Sequence, residues 1–340
     1  MPNHRDPCCQ FGKPLFGGRT VIEVLTAAAQ ETEEAPPPWP WPGCRPSRHR
    51  LHHPPPTQAG ATVDDATSHV YPPEEEFPTS VWDAGAVSTT PRLPEPVTPD
   101  AHTVLKRPLL TQHWLDLAFV HWAVDPGDIA GLLPEGTVPD VLGGVSYVGL
   151  VAFRMHRVGW LRSPGVPYLG TFPETNVRLY SVDAHGRRGV VFRSMDASRL
   201  VPVLMGRAGF RLPYMWSRMT VRTVDDVITY TSSRRWPGPR GAYSRIVLRK
   251  GEHVVEPTEL EHFLTARWGM HNAFLGDVGY LPNQHPRWPL HRAKLITCEE
   301  NLVAAAGVPA PLGQPVSVLY SPGVPVRLGR PVRPGGIPTP

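Results

Sequence analysis

The chain has 340 residues, 43 of them proline, with 41% hydrophobic and 19% charged residues and a formal net charge of +4. Its basic pI near 9.0 comes from arginine, because the only lysines are Lys13, Lys106, Lys250 and Lys294, and the arginines are scattered singly or in pairs. That scatter argues against nucleic acid as a partner, which favours clustered basic residues. The longest uncharged apolar stretch, Val141–Phe153, is broken by Gly143 and Gly144 and falls short of the ~20 residues of a membrane-spanning helix.

Nineteen of the prolines fall in the first hundred residues, in runs such as Pro36-Pro37-Pro38-Trp39-Pro40-Trp41-Pro42 where neither a helix nor a central strand persists. Residues 1–103 are therefore expected to form a disordered Pro-rich tail, 104–332 one domain, and 333–340 a disordered end. His49, His52 and His53 in the tail have no scaffold to fix a metal geometry, and no metal or cofactor is expected. Cys8, Cys9 and Cys44 also lie in the tail and Cys298 stands alone in the domain, so no internal disulfide framework is possible there. With no signal-peptide pattern, a cytoplasmic protein is expected.

The domain reads as strands with a few short helices. Trp114–Val124, rich in Trp, Phe and Val, is the first strand, and Asp125-Pro126 caps a helix stopped by Pro134. Val145–Val158, Pro173–Asp183 and Gly189–Asp196 are further strands, the last two an antiparallel hairpin. A helix within Ser198–Arg207, limited by Pro202, leads to a meander over Met215–Thr223, Val227–Arg235 and Tyr243–Arg249. Thr258 opens a helix through Phe263, and Thr297–Glu300 has capping-box spacing before Leu302–Ala306, with Gly307 as the stop. Val316–Tyr320 and Val324–Leu328 close an α+β pattern.

The most informative segment is Glu174-Thr175-Asn176-Val177-Arg178-Leu179-Tyr180, because period two puts Glu174, Asn176, Arg178 and Tyr180 on one face and Val177 and Leu179 on the other. Read as a ligand site, Arg178 anchors a carboxylate or enolate oxygen, Glu174 is an acid or base and Tyr180 a donor. Read as structure, the same four form a polar network that sets strand register. Both readings stand on the sequence. His121, Tyr214 and Arg267 are secondary candidates that also read as core or packing residues. His285-Pro286-Arg287-Trp288-Pro289-Leu290 reads as an irregular surface loop or a cavity rim. Phosphate-loop, Cys-x-x-Cys, His-Glu-x-x-His and Gly-x-Ser-x-Gly patterns are absent from the sequence.

Several motifs, in order, resemble the YqjF-like family, known as domain of unknown function 2071. They are Gln112-His113-Trp114 with His121 to Pro126, Leu133-Pro134, Tyr147 to Leu150 with Phe153, Glu174 to Tyr180, Gly189 to Phe192, Phe210 to Tyr214, Phe263 to Trp268 and Trp288-Pro289-Leu290. The family is similar to the acetoacetate decarboxylase superfamily, which implies an α+β, β-rich fold: an antiparallel β-barrel with flanking strands and short helices around a small-molecule cavity. A decarboxylase of that superfamily works through a Schiff-base lysine made neutral by a neighbouring cation and desolvation. Here Lys250 follows Arg249, but Gly251-Glu252 after it suggests an exposed turn, and Lys106 and Lys294 lack an apolar strand, so Schiff-base chemistry is not expected. With Arg178 read as an anchor, the expectation is a small-molecule-binding barrel for an anionic or oxo-acid-like metabolite, either a binder or an enzyme without a Schiff-base lysine. The alternative is a non-catalytic scaffold whose Pro-rich tail recruits a partner.

Overall fold

The computed structural model describes residues 92–332 except 103, 161–163, 275–276 and 312. All belong to the second of two compact units, Trp82–Pro340. The first unit, Met1–Val81, and the ends at 82–91 and 333–340 lie outside the described residues, and so does most of the segment read as tail.

The strands are β1 (Leu110–Val124), β2 (Thr137–Pro139), β3 (Ser146–Trp160), β4 (Phe172–Asp183), β5 (Arg188–Ala197), β6 (Tyr214–Val224), β7 (Val227–Trp236), β8 (Tyr243–His253), β9 (Gly269–Phe274), β10 (Asp277–Gln284), β11 (His291–Glu300) and β12 (Ser317–Leu328). The helices are α1 (Pro126–Ala130), α2 (Leu200–Phe210), α3 (Glu259–Thr265) and α4 (Leu302–Ala305). All the strands join one 12-stranded sheet, mostly antiparallel, that closes on itself. Nine strands make the main barrel, in the order β4-β5-β6-β7-β8-β11-β12-β1-β3 and back to β4. A smaller circuit runs β12-β10-β9-β5 and returns through β4, β3 and β1. The run β5-β4-β3-β1-β12 is therefore a wall common to both.

Each face of that wall has its own core. Val120, Leu150, Val177 and Leu179 pack inside the barrel with Ile228, Ile246 and Leu302. On the other face Tyr147, Tyr180, Val190 and Val326 pack with Phe263 and Leu264 of α3, Met270 of β9 and Leu281 of β10. Alternation on β4 thus separates two interiors, and the strand is buried on both faces.

The α+β, β-rich class and the antiparallel barrel are what these strands form. The hairpin expected at Pro173–Asp196 is β4 and β5, paired from Glu174↔Ala197 to Val182↔Arg188. Several local expectations are corrected. Helix α2 runs through Pro202, because a proline in the first turn removes an N–H that has no intrahelical partner there. Thr297 and Glu300 are strand residues of β11, paired with Val247 and Ser244, and Asn301 is the N-cap of α4. The two closing strands are one, β12, continuous through Gly323 at φ +125°. Lys250 precedes no turn, since β8 continues to His253.

Residues 92–102, placed in the tail by composition, run along the domain. Glu95 N donates to the Gly186 carbonyl at 2.8 Å, Trp268 Nε1 to the Thr98 carbonyl at 3.3 Å, and the Arg287 guanidinium makes a two-point contact with Asp100 at 2.8 and 2.5 Å.

Candidate functional site

The site is built on the second face of the common wall, and α3 closes it. A capping box starts this helix: Glu261 N donates to Thr258 Oγ1 at 3.3 Å, and Thr258 N donates to Glu261 Oε2 at 2.8 Å. The far end presents carbonyls with no intrahelical partner, and side chains from elsewhere take them up. Arg267 Nε donates to Phe263 O at 2.7 Å, Arg178 Nη2 and the Tyr180 hydroxyl donate to Leu264 O at 2.9 and 2.8 Å, and Trp288 Nε1 donates to Thr265 O at 2.9 Å.

Tyr180 is the centre of the inner half of the row. Arg178 Nε donates to its hydroxyl at 3.2 Å, and His121 Nε2 lies 2.7 Å from the same oxygen. With the hydroxyl proton given to Leu264 O, Nε2 is the donor, which leaves His121 Nδ1 a bare acceptor; it is buried with no partner. Burial, followed by the charges of Arg178 and Arg267, holds this imidazole well below its usual range, so it is neutral. Gly149 makes the contact possible: it pairs with His121 on one side and Arg178 on the other, and a Cβ there would stand 2.9 Å from His121 Nε2 and 3.2 Å from Arg178 Cγ.

At the outer end, the Tyr214 hydroxyl donates to Glu174 Oε2 at 3.1 Å. Burial pushes the Glu174 carboxyl up to about 8, against hydrogen bonds from Tyr214 and Asn176, so at neutral pH it carries a proton. Burial also raises the Tyr214 hydroxyl well above its ordinary value, with Glu174 adding to the shift. Asn176, between the two ends, is 4% exposed and its Oδ1 has no partner.

The charges are uneven. Among the described residues four arginines are buried: Arg178, Arg187, Arg234 and Arg267. Arg187 pairs with Asp183, Arg234 with Asp196 and Arg267 with Asp140. Among the described residues no carboxylate lies within ion-pair reach of Arg178, whose guanidinium faces the rings of Phe119 and Tyr180 at 5.5 and 5.6 Å. Asp140 is shared, since Arg188 also pairs with it, and Arg267 lies 4.6 Å from the Tyr180 ring with its Nη2 unpartnered. Counting Glu174 and His121 as neutral, the site holds more buried positive than negative charge.

The seven residues singled out from the sequence fall into two groups along β4: Tyr214 and Asn176 beside Glu174 at one end, and His121 and Arg267 beside Arg178 and Tyr180 at the other. Sequence reasoning missed Asp140, Arg188, Gly149 and the Leu264 carbonyl. The 285–290 stretch is irregular and reaches the surface at Pro286 and Arg287, but its ends are buried: His285 lies against Trp268 and Trp288 at 4.5 and 4.6 Å, and Trp288 packs edge-on against Phe119 at 5.3 Å. Lys250 is elsewhere, its Nζ 4.8 Å from the Tyr320 ring. Two small open clefts, with room of ≈ 100 and ≈ 20 Å³, flank Tyr280, and the row of β4 lines neither. Among the described residues no group of three or more His, Cys, Asp or Glu gathers to hold a metal, and no helix is long and apolar enough to cross a membrane.

Fold and site together define a closed, mostly antiparallel β-barrel with a buried, cation-rich polar row on the outer face of its wall. Residues 111–325, more than half of the chain, match domain of unknown function 2071, described as an uncharacterized conserved protein, and the chain belongs to that family. It is 26% identical over 208 residues to the uncharacterized protein YqjF of Bacillus subtilis strain 168, covering 61% of this chain and 86% of YqjF. Among solved structures it is similar to the enduracididine biosynthesis enzyme MppR complexed with pyruvate, at 14% identity and a TM-score of 0.46, covering 68% of this chain and 92% of that one. It is also similar to acetoacetate decarboxylase from Legionella pneumophila, at 14% identity and a TM-score of 0.45, covering 72% and 99%. Likenesses this loose say nothing about chemistry.

Proposed function

We propose that the domain binds a small anionic molecule, of the carboxylate or oxo-acid kind, at Arg178, with Asn176 and the protonated Glu174 as its neutral polar contacts. The observation that supports this reading is the buried guanidinium of Arg178. Among the described residues it is unmatched by any carboxylate, whereas every other buried arginine has one. A buried unpaired cation is costly, and an anion that fits the planar donor fork removes that cost. The neutral carboxyl of Glu174 adds a donor without repelling the ligand, and it can hold or release a proton near neutral pH.

Arg178 also caps Leu264, so its removal affects folding and binding at once. Arg178→Gln keeps a donor for that carbonyl and removes the charge. Titration calorimetry with pyruvate and acetate on the full chain should show saturable binding that falls at least ~30-fold in Arg178→Gln, the loss of a charge-assisted bond costing about 2 kcal/mol or more. Equal binding by both proteins would end this reading.

A further inference from the structure

The larger cleft lies under the segment that precedes the family match. The room within it is ≈ 100 Å³, below the ~300–1,000 Å³ of drug-sized sites, so only a small ligand would fit. The segment supplies Glu95, His102 and Leu105 to one wall, and the barrel supplies Trp268, Tyr280 and Asn283 to the other. The segment is held in place at both ends of this wall, through Glu95 N on Gly186 O and through Leu105 N, which donates to Gln284 Oε1 at 2.9 Å.

Two features indicate what the cleft would take. Asn283 is 6% exposed, and its Oδ1 is buried with no partner although the residue lines the cleft. The Glu95 carboxylate meets no cation within ion-pair distance among the described residues; its hydrogen bond is from Arg188 N at 3.4 Å. The guanidinium on this surface, Arg187, already has its charge met by Asp183 at 2.7 Å and lies 4.8 Å from the Tyr280 ring. What remains is an acceptor and a negative charge beside two aromatic residues, the pairing that a flat organic cation satisfies.

We propose that this cleft is a second small-molecule site, distinct from the β4 row, that takes an organic cation such as an amidine or a primary amine, with Glu95 meeting the charge and Asn283 accepting an N–H. Binding then needs Glu95, His102 and Leu105 as well as the barrel.

Titration calorimetry on the full chain with benzamidine, benzyl alcohol and benzoate compares one ring carrying three charges. Benzamidine should bind at least ~10-fold more tightly than the other two, and Glu95→Gln should weaken it by a similar factor. Glu95 is only partly buried, so this change leaves the fold in place, and Asn283→Leu should act in the same direction. Benzamidine binding no tighter than the alcohol, or unaffected by both substitutions, would overturn the proposal. Benzoate binding that is lost in Arg178→Gln and kept in Glu95→Gln would report on the β4 row alone, so the two sites fail separately.

Discussion

The imidazole of His121 on β1 reaches past β3 to the hydroxyl of Tyr180 on β4, 2.7 Å away, because the intervening residue is Gly149. Gly149→Ala would place a methyl 2.9 Å from the ring and 3.2 Å from Arg178, forcing both apart. Overpacking of this kind costs ~1–3 kcal/mol. Urea unfolding should show the loss, and anion binding should weaken with it. An unchanged midpoint would mean that the two side chains give way freely.

Glu174 should make stability fall with rising pH. Its carboxyl titrates near 8 in the folded chain and near 4.5 when unfolded, so folding favours the protonated form. The contribution is complete below about 4.5 and is lost as pH rises through about 8. The slope within that window is at most ~1.4 kcal/mol per pH unit. Glu174→Gln should flatten it, so the variant gains on the wild type as the solution becomes more alkaline. Parallel stability curves for the two proteins would show that Glu174 is ionised in the fold.

His285 should act in the opposite direction. Burial, with Arg178 adding to it against a hydrogen bond to Pro286, holds the imidazole down to about 4. The stability it contributes is complete above about 6.5 and is lost as pH falls through about 4. NMR titration of the ring protons should find no midpoint between 5.5 and 7 while the protein stays folded.

Two ion pairs of similar geometry should differ sharply. Arg234 grips Asp196 through Nε and Nη2 at 3.0 and 2.7 Å with both side chains fully buried, while Arg287 grips Asp100 at 2.8 and 2.5 Å with both largely exposed. Asp196→Ala leaves a buried guanidinium unpaired and should cost ~3–5 kcal/mol. Asp100→Ala should leave the unfolding midpoint nearly where it is, because water and salt screen that pair. Differential scanning fluorimetry on the two variants separates them directly.

Much of the site was legible in the period of β4. Alternation put Glu174, Asn176, Arg178 and Tyr180 on one face, and they are there, with His121, Tyr214 and Arg267 joined to them. What period two leaves open is what covers that face. The cover comes from α3, β9 and β10, more than eighty residues later in the chain, as the separation of 84 between Tyr180 and Leu264 shows. β9 and β10 gave no strand signal, because Gly269, Asn272, Gly279 and Pro282 weaken local preference and tertiary pairing outweighs it. Asp140 and Arg188 carried no motif, since their meeting depends on β2 and β5 lying on either side of β4. The false capping box at Thr297 shows the converse, a local pattern overruled by the strand that contains it.

A strand shared by two hydrophobic interiors has no permissive side. On an ordinary barrel every second residue can drift, because it borders solvent. Along β4, side chains turned one way are fitted to the barrel interior and those turned the other way to α3 and the Arg267 that follows it. A saturation scan of the domain should therefore show an unbroken band of intolerance from Glu174 to Val182, where most strands would show a stripe.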